Sequence, residues 1–108
     1  MTHEEIIDYN WDDGLEPIRP VVDSPDTELA TALLIYWRLE GPYMASSKPD
    51  DASRMNATVR ERIVGGYYRR GELRYDPIED NRLSRTQVYK LEREGIPPVL
   101  LGRTGESA

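Results

Sequence analysis

Residues 25–42 read Pro-Asp-Thr-Glu-Leu-Ala-Thr-Ala-Leu-Leu-Ile-Tyr-Trp-Arg-Leu-Glu-Gly-Pro. Within that stretch Leu29, Ala30, Ala32, Leu33, Leu34, Ile35, Tyr36, Trp37 and Leu39 leave almost no polar face. A helix that is apolar all round has to be covered all round, so the segment predicts the buried centre of a helical domain. Ser24 or Asp26 is expected to cap its start, Pro25 is pre-set for a first turn, and Asp26 and Glu28 complement the helix dipole. Gly41 and Pro42 stop it, which places the central helix at residues 26–39.

On the N-terminal side, Thr2 followed by Glu5 forms a capping box, and Met1 with Ile6 can staple it, which predicts a helix over residues 3–9. Asn10-Trp11-Asp12-Asp13-Gly14 then reads as a turn. Asp12 or Asp13 is expected to accept backbone amides, Gly14 to supply the reversal, and Trp11 to fold inward. Leu15, Ile18, Val21 and Val22 have helical spacing, but Pro17 and Pro20 allow only a short helical turn, started near Pro17.

On the C-terminal side, the polar stretch 43–51 is expected to be the most mobile internal loop. Met55, Val59, Ile63 and Tyr67 recur every four residues and predict a helix over residues 52–68 with one apolar stripe. Arg54, Arg60, Arg62, Arg69, Arg70 and Arg74 make its other side basic; Gly65 and Gly66 weaken it or admit another backbone, and Gly71 is expected to end it. Leu73 and Tyr75 suggest a short extended segment. Ser84 with Gln87 is a second capping box, Leu83 with Val88 a second staple, and Gly95, Ile96 and Leu91 fit a Schellman ending, which predicts a helix over residues 85–94. Val99, Leu100 and Leu101 are expected to dock back as an extended tail, and residues 103–108 to fray. The fold class is therefore all-α: a small single-domain bundle of four to five helices over residues 1–102.

Composition agrees with one modest core. The chain has 108 residues, 38% hydrophobic and 31% charged, with no Phe, seven Tyr and two Trp. Tyr and Trp keep a polar edge, which suits a shallow core or a contact surface. With no Cys there is neither a disulfide nor a thiolate metal site, and a reducing cytoplasm is the expected compartment. The longest apolar run, residues 33–37, is far too short to span a bilayer, and the first residues lack a signal-peptide pattern, so no membrane association is expected.

Charge is distributed unevenly. Residues 1–28 hold nine acids (Glu4, Glu5, Asp8, Asp12, Asp13, Glu16, Asp23, Asp26, Glu28) against Arg19 alone, a net of −8, whereas the whole chain is −6. An acidic head repels phosphate backbones and attracts basic protein surfaces. The bland reading, a solvated face, weighs about as much.

Catalytic patterns are lacking. There is no phosphate-binding GxxxxGK[ST] loop, and Gly65-Gly66 lacks dinucleotide spacing. His3, the single histidine, sits at the chain start and reads as an exposed helix-start residue. Asp12, Asp13 and Glu16 lack the ligand alternation of a calcium loop, and Asp50-Asp51 and Glu79-Asp80 read as hydrated loop acids. The arginine cluster could contact phosphate, but a pI near 4.8 argues against a nucleic-acid partner. No enzyme activity, cofactor or metal is expected. The alternatives are a divalent-ion protein or cryptic enzyme using Asp12, Asp13 and Glu16, and a self-associating scaffold module, with homo-oligomerisation left open.

The turn Asn10-Trp11-Asp12-Asp13-Gly14, then Pro17, then Thr31-Ala32-Leu33-Leu34-Ile35-Tyr36, and downstream Gln87-Val88-Tyr89-Lys90-Leu91, together resemble the bacterial family of domain of unknown function 4274. The resemblance runs from about Tyr9 to Leu101, and the sequence departs from it where a Cys is expected near Asp26. It carries no established activity. It implies a small acidic protein of the kind encoded as an immunity partner of a secreted bacterial toxin. Together with the acidic head, it makes a protein partner, the cognate toxin, the expected ligand, with Asp8, Asp12, Asp13, Glu16 and Asp23 as the contact residues.

Overall fold

The computed structural model describes residues 1–44 and 50–105. Among them are six α-helices: α1 (His3–Ile7), α2 (Arg19–Asp23), α3 (Leu29–Arg38), α4 (Asp51–Val64), α5 (Pro77–Asp80) and α6 (Arg85–Arg93). Three 3-10 turns, Trp11–Asp13, Gly41–Tyr43 and Pro98–Leu100, connect or close them, and the described residues contain no strand. The fold is all-α. None of these helices is long and apolar enough to cross a membrane.

α3 is the centre. Every residue from Leu29 to Trp37 is buried, as its all-round apolarity demands. α1 and α4 pack on it, α5 touches it, and the Pro98–Leu100 turn packs against α4. Its start differs from expectation. Ser24 accepts the Asp26 N–H and its carbonyl accepts the Thr27 N–H, so residues 24–27 form a separate turn and the helix begins at Leu29. Glu28, at the N-cap, makes no capping bond with its side chain. The Leu29 N–H instead donates to the Arg69 carbonyl at 2.8 Å, and the Arg69 N–H donates to Thr27 at 3.0 Å. The orphan donors of a helix start can be satisfied by any acceptor in reach, and here it comes from forty residues away.

α4 is capped by Asp50, which accepts the Ser53 N–H at 2.8 Å. Met55, Val59 and Ile63 are buried as the stripe predicts, but the stripe ends there. Gly66 takes φ 75° and the Tyr67 N–H reaches back to the Arg62 carbonyl at 2.9 Å, closing the helix earlier than residue 68. Tyr67 is thereby thrown to the surface and Tyr68 takes the buried place, its hydroxyl donating to Val22 at 2.7 Å. Gly71 does not end α4. It lies against the Glu28 side chain, which a Cβ there would have to displace.

Residues 73–75, expected to be extended, lead into α5. Asp76 caps this helix by accepting the Ile78 and Glu79 amides, and Pro77 holds its first position. Asp80 at its end accepts from Tyr75 (2.7 Å) and Arg38 (2.8 Å), fastening α5 to α3. α6 carries the expected capping box, Ser84 with Gln87, and ends at Gly95 (φ 86°) with the Ile96 N–H on the Leu91 carbonyl. Leu100 and Leu101 dock on the core as a 3-10 turn instead of an extended tail. Thr104, expected to fray, exchanges hydrogen bonds with Tyr75 and donates to Leu73. Residues 45–49 of the expected mobile loop and residues 106–108 of the expected frayed end lie outside the described residues.

Candidate protein interface

The Asn10-to-Gly14 turn is held by its neighbours and not by its aspartates. The Asn10 side chain accepts the Asp12 N–H at 3.1 Å, the Asp13 N–H bonds the Asn10 carbonyl, and the Tyr9 hydroxyl donates to the Gly14 carbonyl at 2.6 Å. Gly14 takes φ 97° to make the reversal, as expected. The expectation that Asp12 or Asp13 accepts backbone amides is corrected: Asn10 fills that role because its carbonyl oxygen is the first acceptor the turn amides meet. Both aspartates are exposed and follow Trp11, which is only half-buried and meets Tyr9 edge-to-face at 5.5 Å. The indole N–H of Trp11 is buried and donates to no described group.

The five sequence-predicted contact residues fall into two groups. Asp8, which ends α1, stands exposed with Asp12 and Asp13, and none of the three carboxylates meets a basic side chain among the described residues. The other two are drawn onto the protein's own arginines. Glu16 lies 3.6 Å from Arg19, and Asp23 is 2.8 Å from Arg62. Arg62 also donates to the Val22 carbonyl and covers the Tyr67 ring, and Tyr67 donates to the Asp23 carbonyl, so Asp23 belongs to a joint between α2 and α4. Glu28 is similarly engaged, with Arg69 at 3.7 Å and the Leu73 N–H. Exposed pairs of this kind are worth only about 0–1 kcal/mol each, but they lower the negative potential that a partner meets. Among the described residues no group of three or more acidic or histidine side chains is arranged to hold a metal ion, so Asp12, Asp13 and Glu16 do not converge.

His3 is not the exposed helix-start residue the sequence suggests. Its Nδ1 lies 2.9 Å from the hydroxyl of buried Thr31, and its ring meets Tyr75 edge-on. Nothing local signals this, since the partners lie 28 and 72 residues away. Burial holds its pKa below the ordinary histidine value, with Glu28 and Glu4 pulling it partly back. A depressed folded-state pKa contributes stability that is present above the unfolded value and lost as pH falls through the folded one. Urea midpoints should therefore decline on acidification below about pH 6.5, and His3→Gln should flatten that first step; a wild-type profile in the variant would contradict this placement of the ring.

A family model described as Domain of unknown function (DUF4274) matches residues 1–63. The match takes in the Asn10-to-Gly14 turn and the central helix, and stops short of residues 87–91. No curated protein and no solved structure matches the chain.

Proposed function

The chain belongs to the DUF4274 family, and from that premise we propose that it is a non-catalytic acidic protein-binding domain: an immunity or inhibitor protein that neutralises a bacterial toxin in the cytoplasm by covering a basic surface. One observation carries the reading. Because Asn10 and Tyr9 do the structural work of the turn, the carboxylates of Asp12 and Asp13, which follow Trp11 directly in the chain, stay in solvent, as does that of Asp8. A half-buried Trp with exposed acids next to it in the chain offers an aromatic anchor and a polar rim, which protein contacts combine. Their long-range field speeds encounter with a basic partner, which matters when a toxin has to be stopped before it acts. Of the five expected contact residues, Asp8, Asp12 and Asp13 carry the proposed contact; Glu16 and Asp23 contribute less, since each already has an arginine.

The test is co-purification of the tagged domain with the product of each neighbouring gene, followed by association kinetics at low and moderate salt. The triple variant Asp8→Asn, Asp12→Asn, Asp13→Asn should fold as the wild type, because no fold contact uses those carboxylates. Its association rate at low salt should drop by on the order of tenfold or more, with a weaker salt dependence. Failure to capture any neighbouring product, or a triple variant that binds like wild type, would remove the proposal.

A further inference from the structure

A second feature lies where α3 ends against α4. There a cleft of about 630 Å³ opens between one side of α4 and the chain at Gly41, Pro42, Met44 and Pro97. Ser53, Asn56, Ala57, Arg60, Glu61 and Val64 line it from α4. Their spacing of three and four residues makes them one continuous helical face, next to the Met55, Val59 and Ile63 stripe that enters the core. Tyr36 of α3 forms part of the lining, and it is wholly buried. Its hydroxyl has no hydrogen-bond partner among the described residues. Buried hydroxyls are nearly always bonded, so an orphan closed off just behind the wall of a cleft marks a place where an acceptor that parts that wall would be held.

The chemistry around that hydroxyl defines the partner. Burial pushes the Tyr36 phenol up to about 12, so at neutral pH it is a neutral O–H donor. Arg60 is near enough for its charge to act on that phenol, and it pairs with no carboxylate among the described residues. Glu61, next to it in sequence, shares the rim of the cleft but forms no ion pair with it among the described residues. Both residues line the cleft, the exposed guanidinium of Arg60 at its rim and the hydroxyl of Tyr36 closed off behind its wall. Asn56 has committed both N–H groups to the carbonyls of Leu39 (2.9 Å) and Gly41 (3.0 Å), so it adds no donor. Pro42, Met44, Val64 and Pro97 supply apolar wall.

We propose that this cleft binds a small organic monocarboxylate with an apolar body, its carboxylate held by the Arg60 guanidinium and the Tyr36 hydroxyl. A guanidinium fork fits a planar carboxylate, and the hydroxyl takes a remaining lone pair. A single guanidinium with Glu61 on the same rim disfavours a phosphate dianion, whose second charge has no counterpart there. The volume falls within the roughly 300–1,000 Å³ of small-molecule sites. The site stands apart from the acidic face, since Asp8, Asp12 and Asp13 lie in none of its walls.

The experiment is a backbone-amide NMR titration of the full chain with hexanoate, with hexanamide and inorganic phosphate as comparison probes. Hexanoate should give saturable shifts centred on Gly41, Ala57, Arg60 and Val64, and the other two probes none. Arg60→Gln should weaken hexanoate by about tenfold or more, and Tyr36→Phe by several-fold. Arg60 is exposed and outside every fold contact described above, so that variant remains a fair test even if Tyr36→Phe disturbs packing. Shifts that do not saturate, an equal response to hexanamide or phosphate, or unchanged affinity in Arg60→Gln would overturn the assignment.

Discussion

Trp37→Ala is expected to cost the domain about 3–5 kcal/mol, a large share of the roughly 5–15 kcal/mol that holds a typical domain together. Three losses add up at this side chain. The ring is 5% exposed and lies against Gly41 so closely that a Cβ there would come within 2.9 Å of it. Its removal opens a cavity that the close-packed surroundings can only partly refill. Its edge-to-face neighbours Tyr36 (5.9 Å) and Tyr43 (6.5 Å) lose their partner. Finally, the indole N–H is the donor that meets the Leu100 carbonyl at 2.9 Å, and this bond pins the C-terminal turn to the central helix. Thermal melts should show a drop on the order of 15 °C or more. Trp37→Phe separates the terms, because it keeps most of the ring while leaving the Leu100 carbonyl unpaired, at about 1–3 kcal/mol. If Trp37→Ala melted within a few degrees of wild type, the central packing described for α3 would be wrong.

Asn56→Leu is expected to be the second large loss, about 2–4 kcal/mol, although it trades a polar side chain for an apolar one of similar size in a buried place. Asn56 is 7% exposed, and its amide donates to two carbonyls, Leu39 and Gly41, where α3 ends. A helix leaves its last carbonyls without intrahelical partners, and at this end Asn56 satisfies two backbone acceptors at once. Leucine would leave both buried and unbonded. Asn56→Asp should be worse at neutral pH, since a carboxylate would face two carbonyl oxygens. Its folded-state pKa would be raised, so the deficit should grow as pH rises through the carboxylate range. Urea midpoints of the two variants across pH check both statements, and a neutral Asn56→Leu would contradict the capping role.

Much of what was decided locally was legible in the sequence, though not the acceptor role of Asn10 or the closure of α4 at Gly66. The capping boxes at Thr2 and Ser84 formed as their spacing required, and Gly95 closed α6 as a Schellman ending. The apolar run of α3 became the buried centre. The candidate interface was legible only in part. The acidic head could be counted, but which acids remain available depends on Arg62 reaching Asp23 across 39 positions and on Arg69 reaching Glu28 across 41. The Tyr36 cleft left no trace in the sequence, where Tyr36 reads only as one more core residue.

The sequence by itself determined the all-α class, the central helix, the start of α1 and the ends of α6, because each rests on side-chain periodicity or on hydrogen bonds between residues a few positions apart. Tertiary structure alone decided where α3 begins, that Thr104 is tied down, and that Asp23 and Glu28 are drawn onto distant arginines. Each of these depends on a donor and an acceptor brought together from distant parts of the chain. Such a pairing is selected by the packing of the whole domain, and the spacing of residues along the chain carries no record of it.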